Sequence, residues 1–580
     1  MDLGNKIYMI VKKTISLKSL LISAFFLWLT YPFIHIYKVK LTEDNIDYTI
    51  PEGYADDISE LNKTKIRNKV ILSENINNNV LLIEAGRSSH PLSRLPASFA
   101  LLIDNPLANW RYRSEPEENT SNRKIPIPRG KLLGGSSSIN GLVYVRGNKL
   151  DYDTWAQMGN TGWSYDDVLP FFKKMESYQG NTSELRGVEG PLKVTEVTDR
   201  NPIYNGLFKA AEEMQIPVNK DYNGQDQEGI GYTQTTIYKG ERMSAEVAYL
   251  RPIKSRKNLT IITNSLVKKL LFDGKKCIGL EVKNKNKIIK YSVSKEIILS
   301  GGAINSPQIL ELSGIGRRDV LEEKNIPLIH ELNGVGENLR DHIAPRIIYK
   351  ITKPGIAYND KARGINLVKQ VANYIFKRDG FLTLPSAPVV GFFKTRKELA
   401  APDIQAHFIP YKVVLENGKR KLGEEPGITC TVNQNLPESK GSIHIKSDDP
   451  EDSPRIKYNF LSSSLDRQTL ISGVKLIRRI MGSTTMKEFC GEEIQPGENF
   501  NSDEKILQFI RDKAETVYHP VGTCKMGFDQ ESVVDKNLKV HGIKGLRIAD
   551  ASIMPTLVSG NTNAACMMIG ERCADFILNN

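Results

Sequence analysis

Residues 296–316 read EIILSGGAINSPQILELSGIG. The apolar run Glu296 to Ser300 is bounded by glycine and is short, so it reads as a buried strand rather than a helix. Gly301 and Gly302 allow a sharp turn, the text to Ser313 reads as a helix, and Gly314 stands where a helix ends on a left-handed residue. A strand feeding straight into a helix is a unit of an α/β sheet. Runs of the same kind recur at Asn79 to Gly86, Leu259 to Thr263, Cys277 to Val282 and Gly545 to Ala549. They lie far apart in the chain, so the sheet is expected to be assembled from distant stretches. The first of them, Asn79-Val80-Leu81-Leu82-Ile83-Glu84-Ala85-Gly86, ends on an acid and a glycine and reads as a buried parallel strand.

The middle of the chain has a different texture. Residues 346–514 carry amphipathic segments such as Leu367 to Phe376 and a polar, Lys-rich loop at Glu416 to Glu425. This stretch reads as a second domain inserted into the first. The expected division is 1–40 targeting segment, 41–345 first part of an α/β domain, 346–514 inserted domain, and 515–580 the return to the α/β domain. No internal repeat or long low-complexity stretch is visible.

At 580 residues and 40% hydrophobic content the chain can bury a large core. Its net charge of +12 comes from 79 basic and 67 acidic residues spread along the sequence. That pattern reads as solvated surface rather than a nucleic-acid groove. The six cysteines, Cys277, Cys430, Cys490, Cys524, Cys566 and Cys573, show no CxxC spacing. Neither a zinc site nor a disulfide scaffold is suggested, though the number leaves room for one or two bridges.

Lys12, Lys13 and Lys18 precede an apolar run from Ser19 to Tyr37. Basic residues before such a run keep the N-terminus in the cytosol and send the rest across the membrane, as a signal peptide or an uncleaved signal anchor. A lumenal or extracellular location follows, secreted or tethered through residues 19–37. Sequons at Asn62, Asn119, Asn181 and Asn258 agree with that direction.

Two further stretches carry chemistry. Residues 128–148 read PRGKLLGGSSSINGLVYVRGN, where Gly134-Gly135 and three serines offer backbone N–H groups and hydroxyls without side-chain obstruction. Such loops hold diphosphates, because glycine lets the backbone approach the anion. Near the end stand YHPVGTCKMG (518–527), Asp550-Ala551-Ser552, and MPTLVSGNTNA (554–564).

Taken together, the 128–148 loop, the 302–316 stretch and the C-terminal block resemble the signatures of the glucose-methanol-choline (GMC) oxidoreductases, closest to the insect glucose dehydrogenase-like branch. GERMSAEVAYLRP (240–252), NGVGENLRDH (333–342), Pro402-Asp403-Ile404-Gln405 and Gly441-Ser442-Ile443 extend the resemblance from about residue 79 to the C-terminus. It implies an α/β and α+β architecture, a Rossmann-like FAD-binding domain beside a substrate-binding domain built on an antiparallel sheet. It also implies oxidation of an alcohol or sugar CH–OH group, with electrons passed to a quinone or oxygen. Removing hydride from carbon requires the hydroxyl proton to leave, and a neutral imidazole suits that task. The resemblance assigns the base to His519 and an orienting, oxyanion-stabilising amide to Asn561. By position it assigns Glu84 to the adenosine ribose and Lys131, Leu133, Gly134, Gly135, Ser136, Ser137 and Asn140 to the diphosphate and ring. It places Val267 near adenine, and Asp550, Ala551, Thr562 and Asn563 near the diphosphate and pyrimidine edge. Ile139 occupies the neighbourhood of the histidine that links to flavin in some relatives, so the FAD is expected to be noncovalent. No metal site is expected.

One part departs from the family. Members open the flavin domain with a strand and G-x-G-x-x-G leading into a helix. Here Tyr48 to Leu72 reads YTIPEGYADDISELNKTKIRNKVIL, with the single glycine Gly53 and a proline where the strand should run. The unit is absent or replaced, with residues 45–72 atypical. The rival expectation is therefore a catalytically silent protein that keeps the fold with impaired FAD binding.

Overall fold

The strands that position the site run in chain order as β1 (Val80–Ile83), β2 (Gly229–Tyr232), β3 (Leu259–Ile262), β4 (Ile297–Leu299), β5 (Arg346–Ile351), β6 (Val389–Phe393), β7 (Ile404–Ile409), β8 (Gly427–Gln434), β9 (Cys490–Gln495) and β10 (Leu546–Ile548). The helices used below are α1 (Gly302–Leu312), α2 (Ser464–Met481) and α3 (Asn563–Leu578). They are seen in a computed structural model that describes residues 79–181, 183–416 and 419–579. The apolar run at 19–37 and the atypical segment at 45–72 lie outside the described residues, as does the sequon at Asn62. Among the described residues no helix is long and apolar enough to cross a membrane.

Strands β5 to β9 form one six-stranded antiparallel sheet with β2, in the order β9-β5-β8-β7-β6-β2. Its two faces differ because side chains alternate along each strand. Ile404, Ala406 and Phe408 of β7 and Ile428, Cys430 and Val432 of β8 belong to one large apolar core. Helix α2 covers that face with Leu470, Val474, Ile477 and Met481, spaced as one helical stripe. The approach is close: a Cβ at Gly473 would lie 2.8 Å from Val432 Cγ2. The other face carries Gln405 and His407 of β7, set opposite Asn433 and Thr431 of β8 by the register. All four pairing positions are buried or nearly so, which makes this a polar floor under the molecule's surface rather than a wet face.

The α/β half is arranged otherwise. β1 pairs β3 in parallel, and β4 pairs β10 in parallel, as two separate two-stranded sheets among the described residues. The expected strand at Asn79 to Gly86 forms, but it is not buried: Val80 is 50% and Leu81 38% exposed. Among the described residues it has a partner strand on one side only, so its apolar side chains lack the cover that a central parallel strand receives. The run at Cys277 to Val282 lies in a separate antiparallel sheet of Ser265–Asp273, Lys276–Asn284 and Lys287–Ser292. The Lys-rich stretch expected as a loop at 416–425 includes a strand, Lys419–Leu422, which pairs antiparallel with Val413–Glu416. The amphipathic segment at 367–376 lies inside a helix, Gly364–Lys377.

Helix α1 ends as its sequence indicates: Gly314 adopts φ +80° and donates its N–H to the Glu311 carbonyl at 3.0 Å. The same helix fastens a segment far along the chain. Buried Glu311 accepts from Ile445 N at 2.8 Å and meets His444 Nδ1 at 2.7 Å, while Glu337 meets His444 Nε2 at 3.1 Å. Although burial opposes it, this pair of carboxylates raises the His444 imidazolium to about 9. Tyr144, within the 128–148 stretch, has a structural partner, donating to Glu176 at 2.7 Å within a buried cluster of Arg146, Glu176 and Arg186. All six cysteines are free thiols, five of them buried and Cys566 half-buried, so neither of the bridges for which there was room forms.

Candidate active site

His519 is delivered by an unusual turn. Tyr518 before it takes φ +71°, a conformation rare for a bulky residue, and its carbonyl is gripped by the guanidinium of Arg129. Beyond it, Gly522 takes φ +92°, and a Cβ there would meet the Asn338 carbonyl at 2.4 Å, so the HPVG text needs its glycine. Residues 515–521 run antiparallel to 340–344, with Arg340 facing Val521 and Ile343 facing Thr516. Between those two pairings, His342 and His519 meet.

The carboxylate of Asp341 holds both histidine-bearing backbones. Its Oδ1 accepts from His342 N and His519 N, each at 2.8 Å, and its Oδ2 accepts from the Thr516 hydroxyl. Burial pushes this carboxyl up to about 6, against hydrogen bonds and Arg129, which favour the charged form. His342 Nδ1 lies 3.0 Å from His519 Nδ1, with the rings edge to face, and His342 Nε2 lies 2.8 Å from the Asn435 carbonyl.

Asn561 arrives from the loop before α3. Gly560 lets that loop rest on the core, since a Cβ there would lie 2.5 Å from Val145 Cγ1 and 3.6 Å from Phe392. The result places Asn561 Nδ2 3.1 Å from His519 Nε2, while Gln405 Nε2 donates to Asn561 Oδ1 at 3.1 Å. The two residues assigned to catalysis are therefore adjacent, above the polar floor. His407 belongs to the same floor and bonds Asn561; burial lowers its imidazole to about 4. Burial holds His519 well below the usual histidine value, and His342, Arg129 and His407 push in the same direction. Burial likewise lowers His342 to about 4, so all three imidazoles are neutral at physiological pH.

The cofactor residues assigned from sequence form a continuous neighbourhood with this site. Glu84 caps β1, accepting from Gly86 N at 2.7 Å, and its backbone carbonyl accepts from Ser265 N at 3.0 Å, two residues before Val267. Gly86 packs directly on the Lys131 backbone, and Leu133 N donates to the Arg87 carbonyl at 3.0 Å. Lys131 sets its ammonium 4.1 Å from the Trp110 ring. Gly134 and Gly135 both take positive φ, and Gly135 to Ser138 make one turn of 3-10 helix. Buried Arg242 clamps the end of that loop, donating to the Ser137 carbonyl at 3.2 Å, to the Asn140 carbonyl at 2.8 Å and to Asn140 Oδ1 at 2.6 Å. Ser137 Oγ in turn accepts from Ala245 N at 2.9 Å. Ser136 Oγ accepts from Gly130 N at 3.1 Å, within the loop itself.

Asp550 is occupied by the protein. It accepts from Gly302 N at 2.9 Å, from Ser306 Oγ at 2.6 Å and from Ser552 N at 2.7 Å, tying α1 to the end of β10. The Ala551 carbonyl accepts from Gly522 N at 3.2 Å, which joins this end to the His519 turn. Thr562 and Asn563 open the 16-residue α3, whose N-terminus has no side-chain cap.

These features fit a dinucleotide such as FAD. A Cβ at Gly135 or at Gly302 would meet nothing within 4 Å, so open space stands over two positive-φ glycines. Uncapped N–H groups at α3 suit an anion, and the carboxylate of Glu84 at a strand end suits a ribose. Sequence reading missed His342, Asp341, Gln405, His407, Arg129 and Arg242. Each lies in or beside text that was singled out, and the alternation of Gln405 and His407 on one strand was the available signal.

Comparison with known proteins gives a consistent result. A family profile described as GMC oxidoreductase matches residues 65–344, and a second of the same description matches residues 437–570. An alcohol dehydrogenase [acceptor] of Pseudomonas putida is 41% identical over 514 residues, 87% of this chain and 92% of that protein. An oxygen-dependent choline dehydrogenase of Escherichia coli is 40% identical over the same shares of the two chains. Among solved structures, pyridoxine 4-oxidase from Mesorbium loti has a TM-score of 0.80 at 27% identity, covering 88% of this chain and 96% of that one. An FAD-dependent oxidoreductase from Chaetomium thermophilum has a TM-score of 0.78 at 27% identity, covering 86% and 95%.

Proposed function

The chain belongs to the GMC oxidoreductase family, and from that premise we propose that it oxidises a neutral alcohol, or a sugar hydroxyl, with His519 as the base. FAD is the cofactor of the family, and when bound it supplies the acceptor for the hydride leaving carbon. Glu84, the 131–140 loop and the start of α3 would hold it. The observation that carries the reading is the 3.1 Å contact between His519 Nε2 and Asn561 Nδ2, on a buried floor.

A substrate hydroxyl seated beside those two atoms, within reach of both, donates its proton to Nε2 and accepts from the amide. Gln405 holds Asn561 by its oxygen, so the amide presents N–H and not C=O to the substrate oxygen. Negative charge growing on that oxygen is met by the amide, and water is kept from the base by its burial. The Arg129 guanidinium, which pushes the His519 imidazole down, favours a neutral hydroxyl donor over a cation. A sugar, as the glucose dehydrogenase-like text implies, is the finer form of this reading; quinone or oxygen would then take the electrons. Delivery across a membrane belongs to the same proposal, supported by the basic residues before Ser19 and by the exposure of Asn181, which opens one of the sequons.

The test is anaerobic mixing of purified chain with alcohols and sugars while flavin absorbance is followed. Bleaching by one of them, lost in His519→Ala with flavin retained, supports the proposal. Flavin that no CH–OH donor reduces would end it. Readmitting oxygen or adding a quinone then identifies the acceptor. The reading of a silent chain finds no support in the comparisons.

A further inference from the structure

The hydrogen bonds behind His519 can be given directions from one fixed end. The backbone carbonyl of Asn435 can only accept, so His342 Nε2, 2.8 Å away, must carry a proton. That carbonyl does not move freely, because Asn435 N donates to the Asp403 carbonyl at 2.8 Å and Asn435 Nδ2 to the Pro402 carbonyl at 2.9 Å. A neutral imidazole has one N–H, so His342 Nδ1 is bare. It faces His519 Nδ1 at 3.0 Å, and a hydrogen bond there requires the proton on His519. A neutral His519 protonated on Nδ1 has its lone pair on Nε2, the atom that meets Asn561 Nδ2. The run ends with Gln405 donating to Asn561 Oδ1.

We propose that His342 is a positioning residue: it fixes the tautomer of His519 so that the basic nitrogen is Nε2, on the side of Asn561. The inference rests on His519 being the base, but the tautomer itself does not depend on turnover. Geometry supports it from three sides. Asp341 clamps the backbones of both histidines at equal distances, the 340–344 and 515–521 segments pair on either side of them, and Val517 N donates to the His342 carbonyl at 2.8 Å. His342 is fully buried, so no water competes for its Nδ1. A proton on the wrong nitrogen of His519 would point an N–H at the Asn561 amide and leave His342 Nδ1 without a donor, an arrangement that costs a buried hydrogen bond.

The test reads the proton directly. The full chain is labelled with 15N in its histidine rings, and His519 is assigned by difference against His519→Gln. The expected wild-type spectrum has His519 Nδ1 protonated and Nε2 bare, with the complementary pattern, Nε2–H, at His342. In His342→Leu the His519 pattern should become mixed or reversed. In His342→Asn, whose amide oxygen can stand in for Nδ1, it should be retained. Reduction of flavin by the alcohol should fall about a hundredfold in His342→Leu with KM changed less than about threefold, and His342→Asn should recover at least about tenfold of it. A wild-type His519 protonated on Nε2 overturns the proposal even if neither variant folds. So does an unchanged spectrum in His342→Leu. If no CH–OH donor reduces the flavin but the spectrum is as expected, the tautomer stands and the substrate reading alone fails.

Discussion

Two sheets of this molecule stand in contrast. The six-stranded antiparallel sheet is continuous, with one face packed by α2 and the other bearing Gln405 and His407 beneath His519 and Asn561. The parallel strands of the α/β half form two separate pairs among the described residues, and β1 leaves Val80 and Leu81 half exposed while Ile298 of β4 is 42% exposed. The departure from the family lies in the sequence at residues 45–72, outside the described residues. The proton-handling groups His342, Gln405, His519 and Asn561 all lie among the described residues, whereas the family's opening diphosphate-binding unit corresponds to sequence outside them.

The sharpest way to break this contrast is at the base. His519→Ala should slow flavin reduction by about 10³ to 10⁴, measured by stopped flow, while the flavin per chain stays as in wild type. Because burial lowers the His519 value, its proton binds only well below pH 6.5. The base is therefore ready across neutral and alkaline pH, and kcat/KM should be flat above 6.5 and fall only on further acidification. A base limb at or above pH 6.5 would mean that the imidazole meets water in solution.

Amide exchange followed by mass spectrometry compares the two sheets directly. Peptides from β7 and β8 should exchange roughly a hundredfold more slowly than those from β1 and β3, as ladders with cover on both sides open least often. Equal protection would remove the contrast. Replacing Tyr48 to Leu72 by a strand and a G-x-G-x-x-G turn should raise flavin content about tenfold at limiting FAD, read by absorbance ratio. Unchanged content would show that the existing chain already holds the diphosphate by other means. The smallest effect concerns packing: Gly473→Ala sets a methyl against Val432 and should cost about 1–2 kcal/mol, a fall of a few degrees in Tm, despite the gain in helix propensity.

Much of the arrangement was legible in the sequence, for identifiable reasons. Short apolar runs gave the strands near Val80, Leu259, Ile297 and Leu546, three of them bounded by glycine, and Gly314 marked the end of α1. The YHPVG and SGNTN text announced His519 and Asn561, which the fold sets 3.1 Å apart. What could not be read were partners distant in sequence. His342 lies 177 residues from His519 and Gln405 lies 156 from Asn561, and no local periodicity encodes a contact across two segments. Burial of β1 was overestimated, because an apolar strand's cover depends on neighbours contributed by other parts of the chain.

The thiols described with the fold have a practical side. Burial raises all six, to about 11 at Cys277 and Cys573, about 12 at Cys490 and Cys566, and well above 9 at Cys430 and Cys524. Native protein should therefore ignore maleimides at neutral pH, since the reactive thiolate is scarce at every position. A single cysteine introduced at Phe376, 84% exposed on its helix, would then be the only handle for a dye or spin label. No native cysteine would have to be removed first.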